Sequence, residues 1–492
     1  MPNLVAPAVD LGALAPFLIM ATGALILLLL DLVVPPDRRS VLGYIAVGTT
    51  LVAIAACVPL WDHDRAAFAR MVQVDNFGLF ASIIALAATA LSLLLAIDYI
   101  QRHEMNFGEY YPLILLTASG MLLMVMANDL IMIFIGLEIL SIGLYILVGF
   151  ARGNQRSEEA ALKYFLLGSF SLGFLVYGTS LVYGATGTTN FTDLGTALRD
   201  PALQTNPILL TGLALILIGF AFKLALAPFH AWTPDVYSGA PTSVTAFMSV
   251  GTKVATFAAL LRMVLIAMPQ LRVDWAPTLW ALAVVTMIVG NLAAVTQRNI
   301  KRMLAYSSIG QAGYILVAVV AAEQPRVSDE AVTSILFYLL SYTFMNLGAF
   351  AVVIALAQSG RERLDLESDY RGLAKRHPIL AGTLALFMLS LGGIPPTAGF
   401  IGKLLVFRAA VDASYWPLAL VGILTSVVAL GFYLRVVILM YTGEPNKYEQ
   451  ATTARISVPL AAVVGICALL TLQLGILPAW SLRFAEKAFF GQ

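Results

Sequence analysis

Residues 209–253 read LLTGLALILIGFAFKLALAPFHAWTPDVYSGAPTSVTAFMSVGTK, and this stretch decides the fold. It begins as an apolar helix with Lys223 in its middle, and Pro228 follows five residues later. A second apolar helix is predicted to begin near Pro241, and it carries Lys253. An ionised lysine at the centre of a bilayer costs about 2.5–3.5 kcal/mol on insertion scales. A membrane sequence with no use for such charges would not keep two of them.

The proline in this stretch is expected to break the helix. A proline inside a spanning helix frees a backbone carbonyl that only buried protein or water can satisfy. A broken helix beside an ionisable group is typical of ion and proton carriers. The alternative is that Lys223 and Lys253 extend their side chains to the lipid surface. Both lie roughly ten or more residues after the start of their predicted spans, about 15 Å of helix or more, which makes such an extension unfavourable.

The composition indicates an integral membrane protein. The chain is 60% hydrophobic and only 12% charged, with a mean hydropathy of +0.87. Globular domains carry about 25% charged residues. The net charge of +1 gives no indication of nucleic-acid binding. Cys57 and Cys467 both lie in apolar spans and the four histidines lack ligand spacing, so no metal site is expected.

The hydropathy pattern predicts an all-α protein with about fourteen transmembrane helices, each near the ~20 residues that a bilayer requires. The predicted spans are 12–33, 42–61, 78–100, 110–127, 129–149, 161–185, 207–229, 242–267, 277–296, 303–322, 332–357, 378–402, 415–440 and 456–477. Only Asn128 and Asp129 separate the fourth span from the fifth. No segment between spans is long enough to form a soluble domain.

Two of these spans, the seventh and the twelfth, are predicted to be broken. The twelfth contains Pro395 and Pro396, with glycines on either side. Five spans separate the two breaks, and an odd number of spans inverts the second copy of a repeat. Matched broken helices in inverted repeats are typical of transporters. The predicted segments are an N-terminal three-helix segment (1–105), a first five-helix repeat (106–268), a second inverted one (269–441) and a C-terminal helix (442–492).

The distribution of lysine and arginine predicts the orientation. With the N-terminus outside, fifteen of these residues lie in cytoplasmic loops and eight lie on the outer side. Short cytoplasmic loops carry the excess of positive charge. Both termini are therefore expected outside, with the loop 358–377 on the cytoplasmic face.

Three further ionisable residues are predicted to lie within spans. Glu138 is in the middle of the fifth span, where a carboxylate must be paired or protonated. Lys403 follows the break of the twelfth span. Lys163 lies only a few residues inside the sixth span, so for this lysine a side chain that extends to water is a serious alternative.

Three long motifs carry a resemblance to a known family. They are LALAPFHAWTPDVYSGAPTSVTAFMSVGTKVA (224–255), NIKRMLAYSSIGQAGYIL (299–316) and LSLGGIPPTAGFIGK (389–403). Together with the span count, they resemble the antiporter-like membrane subunits of respiratory complex I over the whole chain. The form PFHAWTPDVYSGAPTSV resembles the N type. M-type subunits usually have glutamate where this chain has Lys403, and L-type subunits add a long C-terminal lateral helix.

The resemblance implies a proton-translocating subunit of an NADH:quinone oxidoreductase in the bacterial inner membrane. It implies no cofactor in this chain, no redox centre, and partners that include a second antiporter-like subunit. Matched by motif, the family's functional residues are Glu138, Lys163, Lys223, Lys253 and Lys403. His230 is a possible relay group, with a purely structural histidine as an equal alternative. Asp129 and Asp235 are expected to be capping or loop carboxylates.

A mechanism follows from these residues as a hypothesis. Glu138 and Lys223 form a pair in which each stabilises the other's charge. When the carboxylate moves away, Lys223 passes its proton through Lys253 to Lys403, which releases it outside. A neighbouring subunit must supply the driving signal. Two alternatives stay open: a subunit of a multi-subunit Na⁺/H⁺ antiporter of the same fold, and a structural scaffold whose charges only pair helices.

Overall fold

A computed structural model of the protein describes residues 10–357, 362–442, 444, 456–488 and 490. The α-helices in this part of the chain are α1 (Ala15–Asp31), α2 (Ser40–Cys57), α3 (Asn76–Arg102), α4 (Tyr110–Val125), α5 (Leu130–Val148), α6 (Gln155–Thr186), α7 (Phe191–Ala197), α8 (Pro201–Gln204), α9 (Pro207–Lys223), α10 (Trp232–Gly239), α11 (Thr242–Arg262), α12 (Arg272–Val295), α13 (Ile300–Ala321), α14 (Ser328–Leu356), α15 (Leu366–Asp369), α16 (Leu373–Arg376), α17 (Pro378–Gly392), α18 (Ala398–Asp412), α19 (Trp416–Thr442), α20 (Val458–Ile476) and α21 (Ala479–Glu486).

The fourteen predicted spans are confirmed as apolar helices. Across the described residues, ten helices are long and apolar enough to cross a membrane, and four shorter apolar helices (α1, α4, α9 and α17) complete the fourteen. The seventh span is α9 followed by the short α10, and the twelfth is α17 followed by α18. The predicted end of the twelfth span at residue 402 was wrong, because the chain re-enters a helix after the break and continues to Asp412.

A small β-hairpin interrupts the otherwise helical structure and was not predicted. Strands β1 (Arg65–Ala67) and β2 (Val72–Val74) pair antiparallel in the loop between α2 and α3. Three-residue strands are too short to give a recognisable alternating pattern. Hydrogen bonds from Gln73 N to Met126 O (2.8 Å) and from Asn128 N to Met71 O (2.8 Å) hold the hairpin against the loop between α4 and α5.

Backbone hydrogen bonds join the loop before α5 to the loop after α6. Leu130 N donates to Thr189 O (3.0 Å), and Phe191 N donates to Asn128 O (2.9 Å). The side chain of Asp129 caps α5, accepting from Ile131 N at 2.8 Å. This confirms the capping role predicted for Asp129. It also explains how two residues suffice between the fourth and fifth spans.

The same arrangement recurs five spans later, on the other side of the helix bundle. Ile300 N donates to Leu364 O (2.8 Å), and Leu366 N donates to Arg298 O (2.9 Å), which joins the loop before α13 to the loop after α14. Asn299 caps α13, as Asp129 caps α5. Such matching pairs of joined loops are what an inverted repeat would produce. They favour the predicted division into two repeats, which stays a prediction.

The centre of the bundle consists of helices from both halves of the chain. Helices α3, α11, α13 and α14 are almost entirely buried, whereas α2, α6, α12, α19 and α20 expose apolar side chains over much of their length. A bilayer or a partner subunit covers such apolar surfaces in a membrane protein.

Contacts between loops define two faces of the bundle. On one face, Arg39 donates to Asn106 O (2.9 Å), and Tyr99 at the end of α3 donates to Glu362 after α14. We call this side the basic face; it carries the loops 32–39, 103–109, 149–154, 296–299 and 362–377. On the opposite face, Arg70 contacts Asp193 at 3.1 Å. This grouping of loops is the one that fourteen alternating spans require.

Candidate functional site

The first break interrupts the seventh span just after Lys223, the last residue of α9. Ala225 has φ +57, a left-handed conformation that costs a non-glycine residue about 1–2 kcal/mol. The freed backbone groups have protein partners. Trp232 Nε1 donates to Phe222 O at 3.0 Å, and Ala227 N donates to Thr286 Oγ1 at 2.9 Å. The break is therefore a packed part of the structure, as non-helical backbone at membrane depth must be.

The Lys223 ammonium is buried among neutral hydrogen-bonding groups. Its Nζ donates to Ser141 Oγ at 2.8 Å and to Tyr164 OH at 3.0 Å. Nζ also lies 5.2 Å from the centre of the Tyr164 ring, where a cation–π contact is favourable. Ser141 belongs to α5 and Tyr164 to α6, so three spans meet at this lysine. Neither partner was singled out in the sequence.

The predicted contact between Glu138 and Lys223 is not formed. Within the described residues, Glu138 has no ion pair, and the direct partners of Lys223 are Ser141 and Tyr164. Ser141 follows Glu138 by three residues, about one turn of α5, so the two side chains are neighbours on that helix. The two charges still act on each other electrostatically, so the pair stays a prediction without a direct contact.

Glu138 is only half-buried, and it lies in an exposed apolar stripe of α5. Ile131, Ile135 and Ile142, at helical spacing around it, are 39%, 37% and 52% exposed. A carboxylate at this depth is costly to place against lipid. The exposed face of α5 therefore needs a protein neighbour.

Lys253 is fully enclosed in α11, the helix that follows the broken span. It is 2% exposed. Within the part of the chain that the structure describes, its Nζ has neither a hydrogen-bond nor an ion-pair partner. A buried ammonium without a partner is strongly disfavoured. This lysine therefore needs either a water partner or its neutral form.

The second break places Lys403 in a setting that resembles that of Lys223. Helix α17 ends at Gly392, Gly393 has φ +86, and Lys403 lies in the second turn of α18. Its Nζ donates to Gly392 O at 3.1 Å and to Ser426 Oγ at 2.7 Å, and lies 4.8 Å from the centre of the Tyr314 ring. A cavity of about 530 Å³ adjoins the lysine.

A buried polar network joins α13 to α14 and α19. In α13, Ser308 accepts from Tyr342 OH at 2.9 Å. One turn later, Gln311 donates to Tyr433 OH at 3.2 Å and accepts from Tyr338 OH. These residues were missed individually, although the motif at 299–316 carries serine, glutamine and tyrosine at spacings of three and four, the signal of one helix face.

Lys163 lies apart from the other lysines, toward the basic face. Its side chain is 42% exposed, and Nζ contacts Glu159 at 2.7 Å and Asp235 at 3.0 Å. Asp235 also contacts Arg302 Nη1 at 2.7 Å. The prediction that Asp235 is a capping or loop carboxylate was wrong, because it bridges two cations from α6 and α13. The exposure of Lys163 matches the alternative in which its side chain reaches water.

His230 is half-buried in the first break. Its Nδ1 is buried, and the ring interacts with the backbone of Pro228. A role as relay group stays a prediction for this histidine. The described residues contain no cluster of three or more side chains suited to hold a metal ion.

Comparisons with known proteins place the chain in a family. Residues 127–429 match the family described as NADH:quinone oxidoreductase/Mrp antiporter, TM. The NADH-quinone oxidoreductase subunit N of Trichlorobacter lovleyi is 46% identical over 98% of this chain and 97% of its own length. The subunit of the same name from Chloroflexus aggregans is 45% identical over 99% of both chains.

Solved structures agree with these relatives. A chain of respiratory complex I from Thermus thermophilus with bound aureothin is 34% identical, with a TM-score of 0.80 over 96% of this chain and 99% of that one. A chain of the Mrp complex from Dietzia, 24% identical with a TM-score of 0.83 over 97% of both chains, shares the fold. The protein belongs to the antiporter-like membrane subunits of NADH-quinone oxidoreductase, and among them to the subunit N family.

Proposed function

We propose that this proton-translocating membrane subunit moves protons through Lys223, Lys253 and Lys403, with Glu138 as the carboxylate at one end of the row. The observation that carries the proposal is the burial of three lysines in or beside two broken spans, with no carboxylate of the described residues in contact with them. An ionisable side chain at this depth is costly and marks a functional site by default.

The neutral partners suit a group that changes its protonation state. A hydroxyl accepts a hydrogen bond from an ammonium and donates one to a neutral amine. Ser141 and Tyr164 can therefore accommodate Lys223 in both states, and Ser426 can do the same for Lys403. A carboxylate in contact would hold the lysine in its charged form. The polar side chains of α13, which are hydrogen-bonded to α14 and α19, are the groups that we propose to connect Lys253 with Lys403.

We propose a second antiporter-like subunit as the partner that covers the exposed face of α5. The half-buried carboxylate in its apolar stripe calls for a neighbour that is apolar over most of its surface and polar opposite Glu138. At the other end of the row of lysines, a cavity is lined by Lys403, which lies in a broken helix. Two chains of this fold placed end to end would bring such groups together.

The test is substitution of Glu138 in the assembled complex. Glu138→Ala is expected to lower quinone-coupled proton pumping with assembly kept, because the carboxylate has no contact that the fold requires. Glu138→Asp is expected to be milder, since the charge stays although the side chain is one methylene shorter. Pumping is measured in membrane vesicles, with Glu158→Ala, an exposed carboxylate on the basic face, as control. Normal pumping by assembled Glu138→Ala would contradict the proposal.

We propose that the basic face is cytoplasmic and that both termini are outside, in the bacterial inner membrane. The excess of lysine and arginine in its loops supports this orientation. Labelling a cysteine in the loop 358–377 would show the side on which this loop lies. Ser359 lies outside the described residues, but Ser368 in the same loop is exposed. A cysteine introduced as Ser368→Cys is expected to react with an impermeant thiol reagent only from the cytoplasmic side. Labelling from the outer side alone would reverse the assignment.

The Na⁺/H⁺ antiporter remains a second candidate because the fold is shared with a chain of the Mrp complex. The subunit N relatives at 45–46% identity favour the quinone oxidoreductase. Sodium transport by the isolated complex, without NADH or quinone activity, would favour the antiporter.

A further inference from the structure

A carboxylate from the loop after α14 is inserted at the beginning of α11. Glu362 Oε1 accepts hydrogen bonds from Tyr99 OH, from the hydroxyl of Thr242 and from Thr242 N at 3.2 Å. Its Oε2 lies 3.1 Å from Lys301 Nζ, which also donates to Ala240 O at 2.6 Å. One side chain thus joins the ends of α3, α11 and α13.

This carboxylate is reached from the basic face. A cavity of about 450 Å³ ends at Glu362, and its wall also includes Tyr99, His103, Arg152 and Arg156. The Glu362 side chain is 22% exposed, whereas its partner Lys301 is fully enclosed. Glu362 is therefore in contact with the aqueous side and with the buried interior at the same time.

A row of buried hydroxyls leads from Glu362 to Lys253. Thr242, Thr245, Ser249 and Lys253 follow one another along α11 at spacings of three, four and four residues, which place them on one face of the helix. All four are buried. The row is about 16 Å long, and its members are about one turn apart, a gap that one water molecule can bridge.

We propose that Glu362 takes up protons at the basic face and delivers them along the hydroxyl row to Lys253. This inference rests on the proposed function and identifies the group that supplies protons to Lys253. In each turnover, a proton from the cavity binds an oxygen of the Glu362 carboxylate. The acid then gives that proton to the next acceptor in the hydroxyl row. Only O–H and N–H bonds change, and the carboxylate is restored.

The surroundings of Glu362 keep it in the carboxylate form. Burial by itself raises the pKa of this carboxyl, but the Lys301 ammonium and the hydrogen bonds from Thr242 and Tyr99 outweigh burial and hold the pKa below its ordinary value. The group is therefore ionised at neutral pH.

The experiment uses the whole complex in membranes, with an uncoupler added so that no proton gradient opposes turnover. Glu362→Gln keeps the shape of the side chain but cannot carry a proton. NADH oxidation by quinone is expected to fall about tenfold or more. Formate, a small diffusible acid, is expected to restore much of the rate, because it can deliver protons where the carboxylate is missing. The control is Glu367→Gln, an exposed carboxylate of the same loop paired with Arg371, which should leave the rate unchanged.

A normal rate in Glu362→Gln would overturn the inference, and so would a slow rate that formate does not restore, since that is the result expected of a purely structural residue. If Glu362→Gln does not assemble, Thr245→Val decides the matter by removing a hydroxyl from the row. Its matched control is Thr50→Val, another buried threonine that donates to a backbone carbonyl. Slower turnover in Thr245→Val than in Thr50→Val supports proton transfer along the hydroxyl row. Equal rates in the two variants overturn the inference.

Lys253→Ala separates this inference from the proposed function. Loss of pumping in Lys253→Ala, with normal turnover in Glu362→Gln, would overturn only the uptake route. Normal pumping in Lys253→Ala would overturn the proposed function itself.

Discussion

The two broken spans place an ammonium in the same kind of environment by different means. Lys223 is the last residue before its break, whereas Lys403 lies in the second turn after its break and reaches back to Gly392 O. Each lysine has a serine hydroxyl as partner and a tyrosine ring beside it. The local chemistry is therefore matched although the lysines are not at equivalent sequence positions.

The backbone at the two breaks also differs. Ala225 adopts φ +57 in the first break, and Gly393 adopts φ +86 in the second. A Cβ on Gly393 would lie 2.9 Å from Cδ of Lys403, so glycine there makes room for the lysine side chain as well as for the turn. The second break thus depends on its glycine for the position of its lysine, and the first does not.

The largest effect on pumping is expected from removing the lysine at either break, Lys223 or Lys403. Lys223→Ala and Lys403→Ala should each lower proton pumping about tenfold or more in assembled complexes, because each removes a protonatable group from the row. Lys223→Arg should not restore pumping, since arginine does not release its proton in the physiological range. Pumping is measured in membrane vesicles, with assembly checked on native gels.

These lysine variants also test the comparison itself. Normal pumping by Lys403→Ala beside a defective Lys223→Ala would show that the two breaks differ in function. Full activity of Lys223→Arg would show that only a fixed positive charge is required, and proton relay through this side chain would have to be abandoned.

A smaller effect is expected from exchanging the residues that shape the two turns. Gly393→Ala should lower pumping several-fold, because the new Cβ pushes against Lys403 and left-handed backbone disfavours alanine. Ala225→Gly should keep pumping and relieve backbone strain of about 1 kcal/mol. Both are measured as pumping and as thermal stability of the assembled complex. Equal pumping by the two variants would argue against the special role of Gly393.

The smallest effect is expected at Lys163. Lys163→Ala should lower pumping far less than Lys223→Ala, because its partly exposed ammonium is bound to Glu159 and Asp235 and does not need to lose its proton. Pumping rates of the two variants, measured side by side, give the comparison. A loss of pumping in Lys163→Ala as large as that in Lys223→Ala would show that the sixth span also contributes a proton-carrying lysine.

Hydropathy and residue type were enough to predict much of this protein. The fourteen spans could be read from their length and apolar content, because a bilayer requires both. Pro228 and Pro395 located the breaks, since proline cannot continue a helix. The mid-span lysines were recognisable as functional candidates because a charge at that depth is costly. The motifs then gave the family.

The tertiary structure alone decided which groups contact one another. It placed Ser141 and Tyr164 at Lys223, left Glu138 half-buried on an exposed face, and brought Glu362 from a loop to the start of α11. Sequence periodicity fixes which residues of one helix share a face. It does not fix how that helix is rotated against helices from the other half of the chain, because that rotation depends on the packing of all the side chains between them.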